Sequence, residues 1–138
     1  MPIPVLVLLL FALWTLLTLV VSVGKYRMAE ILSGRSPFEQ YRFPDVDRSE
    51  THRQALRAHL NCLENLAVYG ALVLVMVYTG NFAPILSVLA IVLLGFRILH
   101  TFVHVALPQR GKILILRFSL FLVQLVCLFW IALYLLVT

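Results

Sequence analysis

Four long apolar runs constrain this chain more than any other feature. They cover about 3–23, 55–78, 84–105 and 113–137, and each has the roughly 20 residues a helix needs to cross a bilayer. A helix satisfies its own backbone hydrogen bonds, which hydrocarbon cannot do for it. The 138-residue chain is 62% apolar and 12% charged, against about 25% charged in soluble domains. The expected fold is an all-α membrane protein, a single four-transmembrane-helix bundle over residues 1–138.

The first run lacks a basic n-region and a small-residue cleavage signal, so it reads as a retained helix rather than a signal peptide. Its helical pattern continues through Ala29-Glu30-Ile31-Leu32 to Ser33-Gly34, with Pro37 beyond. About 30 helical residues would span roughly 45 Å, so this helix should project from the membrane. A long polar loop, about 33–53, follows, with Phe38, Tyr41 and Phe43 as candidate interfacial anchors. The second loop, Thr79-Gly80-Asn81-Phe82-Ala83, is short and uncharged, and the third, Leu107-Pro108-Gln109-Arg110-Gly111-Lys112, is short and basic.

The net charge of +5 is sorted along the chain. Lys25, Arg27, Arg35, Arg42, Arg48, Arg53 and Arg57 surround the first loop, and Arg110, Lys112 and Arg117 surround the third. Both termini and the second loop have no Lys or Arg. The positive-inside rule places loops one and three in the cytoplasm and both termini on the other side. No basic stripe with interleaved aromatics is present, so nucleic acid is not an expected partner. Cys62 and Cys127 fall in apolar spans without metal-ligand spacing and read as small core residues.

Polar side chains inside the spans carry the functional signal. Arg57, Asn61 and Glu64 lie at i, i+4 and i+7, within about 60° on one helix face. Arg97, His100 and His104 lie at i, i+3 and i+7 on the third span. Arg117 sits near the start of the fourth span, and Arg27 at the end of the first. With the expected orientation, all four helices bring these groups to one depth. A charge inside a span costs about 2.5–3.5 kcal/mol on insertion scales. Long arginines near helix ends can snorkel to the headgroups, but Glu64 and Asn61 are too short to do so. One carboxylate facing several arginines leaves surplus positive charge, which suits an anionic carboxylate, thiolate or phosphate ligand. His100 and His104 alone make a poor metal pair in such cationic surroundings, and no metal is expected.

Arg57-Ala58-His59-Leu60-Asn61-Cys62-Leu63-Glu64 resembles the RAxxNxxE signature of the MAPEG family, the membrane-associated proteins in eicosanoid and glutathione metabolism. Arg97-Ile98-Leu99-His100-Thr101 resembles that family's RxxHT element. The resemblance implies a homotrimer of four-helix subunits, with glutathione as co-substrate between subunits near the cytoplasmic face. It implies glutathione-binding roles for Arg27, Arg57, Asn61, Glu64, Arg97, His100 and His104. It makes Arg117 the catalytic residue, set beside the glutathione sulfur. The chain departs from the family pattern where His104 replaces a tyrosine, where Leu60 replaces a second arginine, and where Ala67 or Val68 stands near a usual proline. An expected tyrosine early in the fourth span is also missing, its region holding Phe118, Leu120 and Phe121.

The leading expectation is a glutathione transferase or peroxidase acting on hydrophobic electrophiles, with lipophilic small molecules and membrane lipids as further partners. The alternative is a non-catalytic lipid-binding or accessory membrane subunit. Four short spans without a discontinuous helix argue against a transporter.

Overall fold

The structure is a computed structural model that describes residues 1–32, 34, 50–108 and 110–138. Its helices are α1 (Ile3–Leu17), a π-helical segment (Thr18–Gly24), α2 (Lys25–Leu32), α3 (Glu50–Thr79), α4 (Pro84–Ala106) and α5 (Lys112–Val137). Among the described residues, four helical stretches are long and apolar enough to cross a membrane: Ile3–Val21, Arg53–Thr79, Pro84–Ala106 and Lys112–Val137.

The apolar runs of the sequence appear as these four helices, with two differences. The second helix starts at Glu50, ahead of the apolar run and inside the expected loop. Helix propagation is cooperative once nucleated, so polar residues extend it. The expected first-loop anchors Phe38, Tyr41 and Phe43 lie outside the described residues. The first helix does continue to Leu32, but through the π-helical turn at Thr18–Gly24. A Cβ on Gly24 would stand 3.1 Å from the carbonyl oxygen of Leu19, the crowding expected where residues five apart close a wide turn.

Turn chemistry sets the helix ends. The α3 C-terminus is a Schellman motif: the Gly80 amide donates to the Val77 carbonyl at 3.4 Å and the Asn81 amide to the Met76 carbonyl at 3.1 Å. Gly80 supplies the required left-handed conformation with φ 67°. Pro84 then opens α4, where a missing N–H costs nothing. Asn81 Nδ2 donates to Thr138 Oγ1 at 2.9 Å, tying the α3–α4 turn to the end of α5.

Helix α4 touches all three other spanning elements, packing on α5, α1 and α3. Toward the uncharged end the interior is apolar: Phe11, Tyr69, Met76, Leu86, Ala90, Leu93 and Ile131 are fully buried there. Tyr69 is the exception in polarity, and its hydroxyl donates to the Pro4 carbonyl at 2.8 Å. The outside carries leucine, valine and phenylalanine, including Leu13, Leu74, Phe102 and Phe129. Such an exterior is unremarkable against lipid, which solvates apolar side chains as well as a protein core does.

Candidate functional site

Toward the basic end the interior changes character. Arg97, His100, Thr101 and His104 are all buried along α4. Their spacing of i, i+3, i+4 and i+7 aligns them on one stripe. Thr101 joins three helices through one hydroxyl. It donates to the Arg97 carbonyl at 3.0 Å and accepts from Trp14 Nε1 on α1 at 3.3 Å. Its only proton is thereby spent, so the Cys62 thiol on α3 is the donor in the 3.6 Å contact between them.

Gln124 does the same between α3, α4 and α5. Its amide nitrogen donates to the Leu120 carbonyl at 2.9 Å and to the Phe96 carbonyl at 3.3 Å. Its oxygen accepts from Asn65 Nδ2 at 3.3 Å. Thr18, in the π-helical segment, donates to the Thr15 carbonyl at 2.7 Å and so accepts from His59 Nδ1 at 3.1 Å. Hydrocarbon offers no alternative partner to these groups, so the network fixes how the helices are rotated.

Above this layer lies a cavity of about 210 Å³ lined by Asn61, His100, His104, Arg117, Phe118 and Phe121. Three helices contribute: α3 gives Asn61, α4 the two histidines, and α5 the arginine and both phenylalanines. Arg117 Nη1 is 3.5 Å from His104 Nε2. The two imidazoles stand with ring centroids 5.8 Å apart, and His100 lies 6.3 Å from the Phe121 ring. Among the described residues that line it, none is acidic. A permanent cation, an amide and two imidazoles against aromatic walls form a receptor for an anion with an apolar neighbour.

The remaining expected site residues fall elsewhere. Arg97 is 1% exposed and reaches the cavity only through His100, with Nη1 3.2 Å from His100 Nδ1. Arg57 and Glu64 share a face with Asn61, as their spacing requires, but both are exposed and neither lines the cavity. Arg27 is on α2, and its side chain lies outside the described residues. Sequence reasoning passed over Trp14, Thr18, His59, Asn65, Thr101 and Gln124 as site supports. Asn65 and Gln124 carried a usable signal, since an amide in the middle of an apolar run needs an interhelical partner.

A second, apolar groove of about 330 Å³ lies between the first helix and α4, lined by Trp14, Leu17, Thr18, Val21, Thr101, Phe102, Val105 and Ala106. No residue lines both this groove and the cationic cavity.

The fold and site define a class: a four-helix membrane protein with a cationic cavity formed by three helices at its basic end. The MAPEG family model matches residues 4–137, nearly the whole chain, and the chain belongs to the MAPEG family. Membership places it broadly in membrane-associated eicosanoid and glutathione metabolism, where glutathione is the general substrate or cofactor. No curated protein and no solved structure matches it.

Proposed function

We propose that this protein is a membrane-embedded, glutathione-dependent transferase or peroxidase acting on hydrophobic electrophiles. The observation that carries this reading is the cavity in which Arg117 stands beside His104, His100 and Asn61. Glutathione must react as thiolate. A thiol near pKa 8.5 is only a few per cent ionised at pH 7. A guanidinium that lowers that value by about 2 units supplies roughly 2.7 kcal/mol and makes thiolate the dominant form. Arg117 is assigned that role. The thiolate sulfur then bonds to the electrophilic carbon as the leaving group departs with its electron pair. The bilayer delivers the apolar partner, and holding both reactants together supplies much of the remaining acceleration.

The cavity of about 210 Å³ is smaller than the roughly 300 Å³ at which small-molecule pockets begin. A single chain therefore offers part of a tripeptide site. Arg57 and Glu64, on the exposed face next to Asn61, are assigned to the remainder once a second copy packs there. Glu64 would meet the glutathione amino group and the arginines, Arg27 included, its carboxylates. On this reading the assembly is a homotrimer of single-domain subunits. The basic loops and the glutathione site face the cytoplasm, and both termini the opposite side.

The test is titration of purified protein with glutathione while thiolate absorbance is followed, then assay with an aryl halide. Thiolate absorbance and turnover are expected, and Arg117→Ala should abolish the absorbance while oligomer mass is unchanged. A second reading, a non-catalytic lipid-binding or accessory subunit, draws on the two phenylalanines, Phe118 and Phe121, in the cavity wall. Absence of thiolate signal and of turnover in the wild-type protein would favour it.

A further inference from the structure

Among the described residues, Arg97 is the largest fully buried side chain. It is not among the residues that line the cationic cavity, so it does not touch an anion held there. Its Nε and Nη2 have no hydrogen-bond partner among the described residues. A guanidinium buried on such terms opposes folding, so packing alone does not account for it. Its hydrogen bond is to His100, Nη1 lying 3.2 Å from Nδ1.

That contact dictates a protonation pattern. Guanidinium has donors and no acceptor, and it stays charged in proteins. The bond therefore exists only where His100 Nδ1 holds a lone pair. The ring proton is then on Nε2. His100 lines the cavity, and an Nε2–H is a donor where an Nε2 lone pair would repel an anion.

We propose that Arg97 is a positioning residue that holds His100 as the Nε2–H tautomer, making the ring a second donor beside Arg117 to an anion in the cavity. The identity of that anion as glutathione rests on the function proposed above; the tautomer does not.

The test uses the full-length protein in lipid nanodiscs. Imidazole nitrogen chemical shifts of ¹⁵N-histidine-labelled protein without ligand, with the His100 signals assigned by their loss in His100→Ala, report the tautomer. A single Nε2-protonated form is expected in the wild type and in Arg97→Lys, which keeps a donor-only cation. Exchange between tautomers is expected in Arg97→Gln, whose amide can donate or accept. Glutathione affinity supplies the second readout. Arg97→Gln should weaken it by about tenfold, the worth of one hydrogen bond, and by less than about twofold in a His100→Ala background, because its effect passes through that ring. A wild-type His100 protonated at Nδ1, or an equal loss of affinity in both backgrounds, would overturn the assignment. If Arg97→Gln does not fold, the wild-type and Arg97→Lys spectra decide alone. Wild-type protein that fails to bind glutathione but shows the Nε2–H form sinks the ligand and leaves the positioning role standing.

Discussion

Gln124 shows what a single polar side chain does in this protein. It is completely buried and bonds to α3, α4 and its own helix through Asn65, Phe96 and Leu120. Gln124→Leu keeps the volume but removes the interhelical bonds and leaves the Asn65 amide without this acceptor. Interhelical hydrogen bonds in membranes average about 0.6 kcal/mol and reach about 1.7. A loss of roughly 1 kcal/mol, measured by reversible unfolding in mixed detergent, is the expected result; an unchanged midpoint would show that the bond contributes nothing. At this scale the sequence announced which residues were anomalous. Asn61 and His100 stand out in apolar runs, because each needs a partner that lipid does not provide, and Asn65 and Gln124, passed over above, carry the same signal. It did not announce the pairing, since a helical repeat says which residues share a face and not what that face meets.

The helices themselves follow from hydropathy and turn residues, and small side chains fill part of the interior between them. Ala90 is fully buried on α4 within the apolar half of the bundle. Ala90→Leu forces extra methylenes into a filled space and should cost about 1–3 kcal/mol. The same substitution at Ala71, an exposed α3 position, should leave the unfolding midpoint unchanged. A midpoint shift of equal size at both sites would refute the packing argument. The π-helical turn of the first helix is the element least legible beforehand. Thr18-Leu19-Val20-Val21 reads as ordinary apolar helix, yet the turn widens there and Thr18 meets His59 across the interface. The face containing Arg57, Asn61 and Glu64 taught a similar lesson. Its coherence was visible in the spacing, but only Asn61 reaches the cavity, because the rotation of α3 is set by Cys62 and Asn65 bonding to α4 and α5.

For the whole molecule, the Asn81–Thr138 bond places the α3–α4 turn and the end of α5 at one end of the bundle, the end without Lys or Arg in its loop and termini. In the orientation proposed above, that end faces the non-cytoplasmic side. A reporter active only outside the cytoplasm should therefore work when fused after Thr138 and fail when inserted in the Arg110 loop. The reverse pattern would invert the proposed orientation and move the glutathione site to the other face. Family membership was legible in RAxxNxxE and RxxHT, and the match over residues 4–137 shows it for the chain as a whole.

Sequence alone determined four helices long and apolar enough to cross a membrane, with cationic residues grouped around the first and third loops, because apolar length and charge position are properties of the residues themselves. Which side chains meet was decided only by tertiary packing. Lipid is as apolar as leucine, so hydropathy leaves a helix free to present almost any face inward. The choice falls to steric fit and to a few interhelical hydrogen bonds, those of Thr101 and Gln124, which exist only when the helices they join are already in place.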